Sequence, residues 1–303
     1  MKSANNNKVD SFNYYIDKDS RYYIDKEIPK DAWQITIPLR ILNSLNEDEL
    51  RGTIGLILGG FLGIDKTDNK ILVGSKGYGK NTIRELTEDE KRVIDELRTL
   101  GWRIVIFQNM EFCKVDDKVK QNEYWIDAYC YWLVKRFSEN NSKKVFVVGF
   151  SSGAYIVGLH LQHLKELKKE DSISGYGIFS YSVSTNDAYN KTIFDKDHFK
   201  KSTLFISGSS TRDTGSNFPF VNGYHNTRTL YDSAQQSGIR HGWISINSTH
   251  NIFSKKSNRD PNKNKRRAIT MIMDNWFDKG TKIPLSDGID ELINPDSTLR
   301  TSH

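Results

Sequence analysis

The hydrophobic pattern of this chain changes period as it proceeds. From residue 53 onward, short uninterrupted apolar runs alternate with longer stretches in which apolar residues recur every three or four positions. Runs of this length bounded by turn signals read as strands covered on both faces. They are TIGLIL at 53–58, RIVIF at 103–107, KVFVVG at 144–149, GYGIFSYSV at 175–183, TLFIS at 203–207 and WISIN at 243–247. The stretches between them predict helices. One begins at Thr87, where T-E-D-E pairs Thr87 with Glu90 as a capping box, and Val93, Ile94, Leu97 and Leu100 share its face. A second covers 121–137, with Trp125, Ala128, Tyr129 and Trp132 on one side. Others cover 152–169, 223–236 (ended by Gly238) and 266–277, the last turning Ile269, Ile272, Met273 and Trp276 inward.

Upstream, residues 21–42 alternate as one or two antiparallel strands, and Pro29 and Pro38 confine them to an edge. We therefore expect a polar N-terminal segment (1–20), a single domain (21–280) and a C-terminal tail (281–303). Strands alternating with helices imply crossover connections. The expected architecture is α/β: a three-layer α/β/α sandwich around a mostly parallel central sheet.

Composition narrows the classes. A mean hydropathy of −0.61 and the lack of any run near 18 apolar residues exclude a multi-span membrane protein. Aromatic residues at 12% argue against disorder, and 6 Pro with 21 Gly exclude a collagen-like chain. The net charge of +6 reads as an excess of lysine. The basic crowd between Lys255 and Arg267 accompanies no nucleic-acid motif and reads as a solvated face, so no nucleic-acid partner is expected. Two cysteines, Cys113 and Cys130, make neither a disulfide framework nor a metal site, and Cys130 reads as core filling. The polar N-terminus lacks the apolar stretch of a secretory signal, so the expected compartment is cytoplasmic.

In open α/β sheets chemistry gathers at the carboxyl ends of the strands. The run at 144–149 leads into Gly149-Phe150-Ser151-Ser152-Gly153, a G-x-S-x-G between a strand and a helix. A nucleophile on so tight a turn needs unusual backbone angles, and the flanking glycines remove side chains that would clash. Ser151 is the candidate nucleophile. A hydroxyl needs a base, and the base needs an orienting acid. Of seven histidines, His250 follows the last apolar strand and is the candidate base, with His225 a possible supporting group. Asp213 lies in the Gly/Ser-rich loop after TLFIS and is the candidate acid, with Asp187 in the preceding strand's loop as its competitor. The run at 53–58 ends in Gly59-Gly60-Phe61-Leu62-Gly63, which lets the backbone come close to a substrate. The N–H groups of Phe61 and Ser152 are the candidate oxyanion hole. Phe150, Phe218 and Tyr224 are candidate substrate-binding residues.

This set, in this order, resembles the α/β-hydrolase superfamily over most of the chain, from Thr53 to Asp278. Many members have histidine where Gly59 stands, and the interval from Gly208 to Asp213 is longer than usual. The short stretch at 184–202 leaves little room for a lid. The chain is thus similar to the compact esterase, dienelactone-hydrolase-like and feruloyl-esterase-like branches. The resemblance implies a serine hydrolase acting on a small-molecule or acyl ester through an acyl-enzyme, with no metal or organic cofactor. A thioesterase, peptidase or acyltransferase would share the same triad. A non-catalytic binding protein could share the scaffold.

Overall fold

The computed structural model describes residues 6–16, 22–23, 30, 33–43, 45–59, 62–65, 70–73, 86–107, 121–139, 143–167, 172–181, 194–214, 222–253, 266–278, 280, 286–289 and 292–293. In chain order the strands are β1 (Asn6–Ile16), β2 (Tyr22–Tyr23), β3 (Trp33–Asn43), β4 (Gly52–Ile57), β5 (Leu62–Asp65), β6 (Lys70–Val73), β7 (Trp102–Phe107), β8 (Lys144–Phe150), β9 (Gly175–Phe179), β10 (Thr203–Gly208), β11 (His241–Ile246), β12 (Arg266–Arg267), β13 (Ser286–Ile289) and β14 (Leu292–Ile293). The helices are α1 (Glu88–Thr99), α2 (Gln121–Val134), α3 (Ser152–Leu167), α4 (Gly223–Gln235) and α5 (Ala268–Phe277).

Among the described residues, ten strands form one sheet in the order β13-β11-β10-β9-β8-β4-β7-β3-β1-β2. Every neighbouring pair from β13 to β7 is parallel. The strands β3, β1 and β2 extend it antiparallel at the far edge. Two small pairs, β5–β6 and β12–β14, stand outside this sheet.

The unbroken apolar runs follow from cover on both faces. Val145 and Val147 of β8 belong to one core with Ile126 and Tyr129 of α2 and Ala154 and Val157 of α3. Their neighbours Phe146 and Val148 belong to a second core with Val93 and Leu97 of α1 and Ile269 and Ile272 of α5. A strand whose successive side chains enter opposite cores has no polar face to show. α1 starts where expected: Thr87 Oγ1 accepts the Glu90 N–H at 3.2 Å, and the Glu90 carboxylate accepts the Thr87 N–H at 2.8 Å. The buried Asp127 carboxylate on α2 bonds Nδ1 of both His160 and His163 on α3, clamping the two helices. Cys130 is buried on α2, while Cys113 lies outside the described residues. No helix among the described residues is long and apolar enough to cross a membrane.

Four features differ from the sequence expectation. The N-terminal segment carries β1, which pairs with β3 over its full length from Asn6↔Asn43 to Ile16↔Trp33. That pairing makes β3 internal, with Pro38 one residue short of the span, Leu39 to Leu42, that also pairs with β7. Beyond Gly280, β13 adds to the sheet edge beside β11. The run at 175–183 stops as a strand at Phe179, because Ser180 turns into the left-handed region with φ 43°. Pairing of the two ends comes from long-range partners that a local polar pattern does not reveal.

β11 begins at His241, whose burial brings a pH prediction. Its Nδ1 accepts the Thr203 N–H at 3.3 Å, and Nε2 lies 3.0 Å from Ser237 Oγ. Burial lowers its pKa from 6.5 to about 4. A lowered histidine pKa means that the unfolded chain binds this proton first as pH falls. The contribution to stability is therefore complete above pH ~6.5 and is lost on descent toward ~4, amounting to about 3 kcal/mol. Urea unfolding at pH 7 and pH 4.5 should show wild type losing about 2–3 kcal/mol more than His241→Gln. Equal pH slopes for the two proteins would refute it.

Candidate active site

Ser151 stands between β8 and α3 with φ 56°, a left-handed conformation held by its surroundings. Its N–H donates to the Phe179 carbonyl of β9 at 2.9 Å, and its carbonyl accepts the Ala154 N–H at 3.0 Å. The turn is too tight for side chains on either side. A Cβ on Gly149 would lie 2.2 Å from the Gly153 carbonyl oxygen, and one on Gly153 would lie 2.1 Å from that of Ile57. Glycine is therefore required at both positions by close backbone approach. The hydroxyl is lifted at the start of α3, the end of a helix that favours negative charge.

Three strand ends bring the candidate side chains together. His250, beyond the carboxyl end of β11, places Nε2 2.9 Å from Ser151 Oγ. Its Nδ1 lies 3.1 Å from Asp213 Oδ1, beyond the end of β10. Asp213 is 1% exposed, and its carboxylate also accepts two main-chain N–H groups. Gly208 donates to Oδ2 at 3.2 Å and Gly223 donates to Oδ1 at 3.3 Å. A buried carboxylate with three donors around it is well satisfied. With Oδ1 accepting from the ring, Nδ1 carries the proton and Nε2 is left as an acceptor facing Ser151. Ser151 is 9% exposed and the His250 side chain 28% exposed, so this end of the chain of bonds is the open one.

The long interval before Asp213 is taken up by a turn. The Asp213 N–H donates to the Ser209 carbonyl at 2.9 Å, folding 209–213 back on itself. The acid and histidine loops are then tied together. Ser209 N–H donates to the Ser248 carbonyl at 3.0 Å, and the Arg212 guanidinium donates to the Asn247 carbonyl at 3.1 Å.

Gly59, at the end of β4, passes directly against the serine: a Cβ there would lie 2.7 Å from Ser151 Cβ. Gly60 and Phe61 lie outside the described residues. Ser152 is buried as the first residue of α3. Phe150 is buried, with its ring 5.7 Å from that of His250 and 4.7 Å from that of Phe253. Tyr224 is half-buried against Trp243, 5.6 Å between rings. Phe218 and Asp187 lie outside the described residues, and His225 is exposed on α4. Sequence reasoning missed the Gly208 and Gly223 donors, since a main-chain N–H has no residue signature. It also took Arg267 as part of a solvated basic face, whereas Arg267 is 5% exposed. The rest of that face, 255–265, lies outside the described residues. No His, Cys, Asp and Glu group among the described residues is arranged to hold a metal ion.

No family model and no curated protein matches the sequence. Solved structures do match. A protein of Lactobacillus plantarum WCFS1, provisionally named a carboxylesterase, is 9% identical, with 90% of this chain and 98% of that chain covered and a TM-score of 0.53. Carboxyl esterase 2 of the mycorrhizal fungus Tuber melanosporum is 12% identical, with 84% and 80% covered and a TM-score of 0.51. At such identities the likeness lies in the path of the backbone. That path, with its parallel sheet between two helical layers and a serine-bearing turn after β8, is the α/β-hydrolase fold, and this is the fold of the chain.

Proposed function

We propose that the protein is a serine hydrolase that cleaves a carboxylic ester through an acyl-enzyme. The observation that carries this reading is the unbroken hydrogen-bond chain from Ser151 Oγ through the His250 ring to Asp213. Ser151 Oγ attacks the ester carbonyl carbon while its proton passes to His250 Nε2. The carbonyl oxygen becomes an oxyanion, held by the N–H groups of Ser152 and Phe61. Collapse breaks the bond to the alcohol oxygen, which takes the proton from Nε2 and leaves. Water then attacks the acyl-serine, giving its proton to Nε2. The second collapse returns that proton to Ser151 and releases the acid. Asp213 keeps the ring in the tautomer with Nδ1–H and stabilises the imidazolium in both halves. No step needs a metal or an organic cofactor.

An ester is placed ahead of a thioester or amide because the two compared structures carry esterase names. A fluorophosphonate probe should label the protein once, at Ser151. A panel of p-nitrophenyl esters from acetate to palmitate, beside thioesters and anilides, should show turnover of esters. Turnover of thioesters or anilides alone would reassign the bond. An unlabelled, inactive protein would leave a binding protein on this scaffold.

A further inference from the structure

Arg267 is the N-cap residue of α5, yet its side chain does not cap that helix. It is 5% exposed and its Nη1 donates to the Phe253 carbonyl at 2.6 Å. Nη2 lies 3.2 Å from Asp89 Oδ1 on α1, and Nε lies 4.0 Å from Glu96 Oε1. The main-chain N–H of Arg267 adds a bond to Glu96 Oε2 at 3.2 Å. A buried guanidinium is costly unless paired and fully bonded. Here two carboxylates offset its charge on one side while Nη1 holds one carbonyl on the other.

That carbonyl ends the turn that carries His250. The turn is bonded within itself: Ile252 N–H donates to the His250 carbonyl at 3.0 Å, Phe253 N–H to Asn251 Oδ1 at 3.3 Å, and Ser248 Oγ to the Asn251 carbonyl at 3.2 Å. Its first end hangs on the acid loop through the Ser209 N–H bond to Ser248, and its last end hangs on Arg267. Between the two, the Phe253 ring meets Phe150 edge-on at 4.7 Å, and Phe150 lies 5.7 Å from the His250 ring at a 31° tilt. The ring turns about its Cβ–Cγ bond, and the hydrogen bonds at Nδ1 and Nε2 set the preferred angle of that turn. The neighbouring Phe150 ring limits that turn.

We propose that Arg267 is a positioning residue: by fixing the Phe253 carbonyl it seats the Phe253–Phe150 ring pair that holds the His250 imidazole toward Ser151. The consequence for turnover rests on the hydrolase reading, but the consequence for the ring does not.

The test combines histidine-selective NMR with kinetics on wild type, Arg267→Met and Phe150→Leu, each first checked for cooperative thermal unfolding. In Arg267→Met the His250 ring signal should shift and broaden, while those of His160, His163 and His241 stay in place. With p-nitrophenyl butyrate, kcat should fall about 10- to 100-fold and KM should stay within about twofold. Arg267→Lys, which keeps the charge but loses the planar fork, should recover part of the loss. Should Arg267→Met fail to fold, Phe150→Leu removes the ring contact directly and should show the same His250 shift. An unmoved His250 signal in a folded variant, or an unchanged kcat, overturns the proposal. Wild type inert to both ester and fluorophosphonate would instead reject the hydrolase reading, and the His250 signal would still decide the positioning claim.

Discussion

Ser151→Ala should fold as wild type does and lose about 10⁴- to 10⁶-fold in kcat, because in the proposed mechanism the triad works as a unit and removing its nucleophile leaves only binding and oxyanion stabilisation. The substitution deletes one oxygen and adds no atom. The main-chain bonds that hold the turn, to Phe179 and Ala154, are untouched. Alanine meets the same left-handed penalty as serine at φ 56°. The loss should therefore appear in turnover and in fluorophosphonate labelling, with the melting temperature almost unmoved. His250→Ala should fall by a similar factor, and the double variant should be scarcely worse than either single one. Labelling that persists in Ser151→Ala would place the nucleophile elsewhere.

Asp213→Asn should cost about 10³- to 10⁴-fold in kcat and, unlike Ser151→Ala, should also cost stability. Asp213 Oδ1 faces two donors, His250 Nδ1 and the Gly223 N–H, and Oδ2 faces the Gly208 N–H. The amide of asparagine has one oxygen for these sites and must point its NH2 at a donor in either orientation. If the NH2 faces the ring, the Gly223 N–H loses its acceptor and His250 turns to the tautomer whose Nε2 carries the proton, so that it can no longer accept from Ser151. If it faces Gly208, the ring tautomer survives but a buried main-chain donor is stranded, at about 1–3 kcal/mol. Both orientations should cost stability in urea, and kcat on the same preparation distinguishes them, the expected loss belonging to the one that faces the ring. Asp187→Asn is the comparison: it should leave both nearly unchanged, and the reverse result would make Asp187 the acid.

The elements that were legible early are those whose signal is local. Thr87 and Glu90 announce α1 because a capping box needs only neighbouring residues. Gly149 and Gly153 mark the turn at Ser151 because close backbone approach there excludes a side chain. The covered strands announce themselves because both of their faces must be apolar. Candidate positions after strand ends are legible by the same logic, since the periodicity fixes where each strand stops to within a few residues.

Other features depend on what happens to lie across from a residue in space. Asn6 to Ile16 reads as a polar terminus until β3 supplies a partner for each residue. Ser286 to Ile289 becomes a strand only because β11 has an open edge. Arg267 carries the same charge as the lysines before it, yet it is buried because Asp89 and Glu96 of a helix far upstream stand where its guanidinium falls. The donors on Asp213 are main-chain groups that any residue type could provide. Periodicity encodes which face of a segment is shielded from water, because that is a property of consecutive residues. Which segment does the shielding, and how three loops distant along the chain meet over one sheet edge, is a sum of long-range contacts that exists only once the chain has folded.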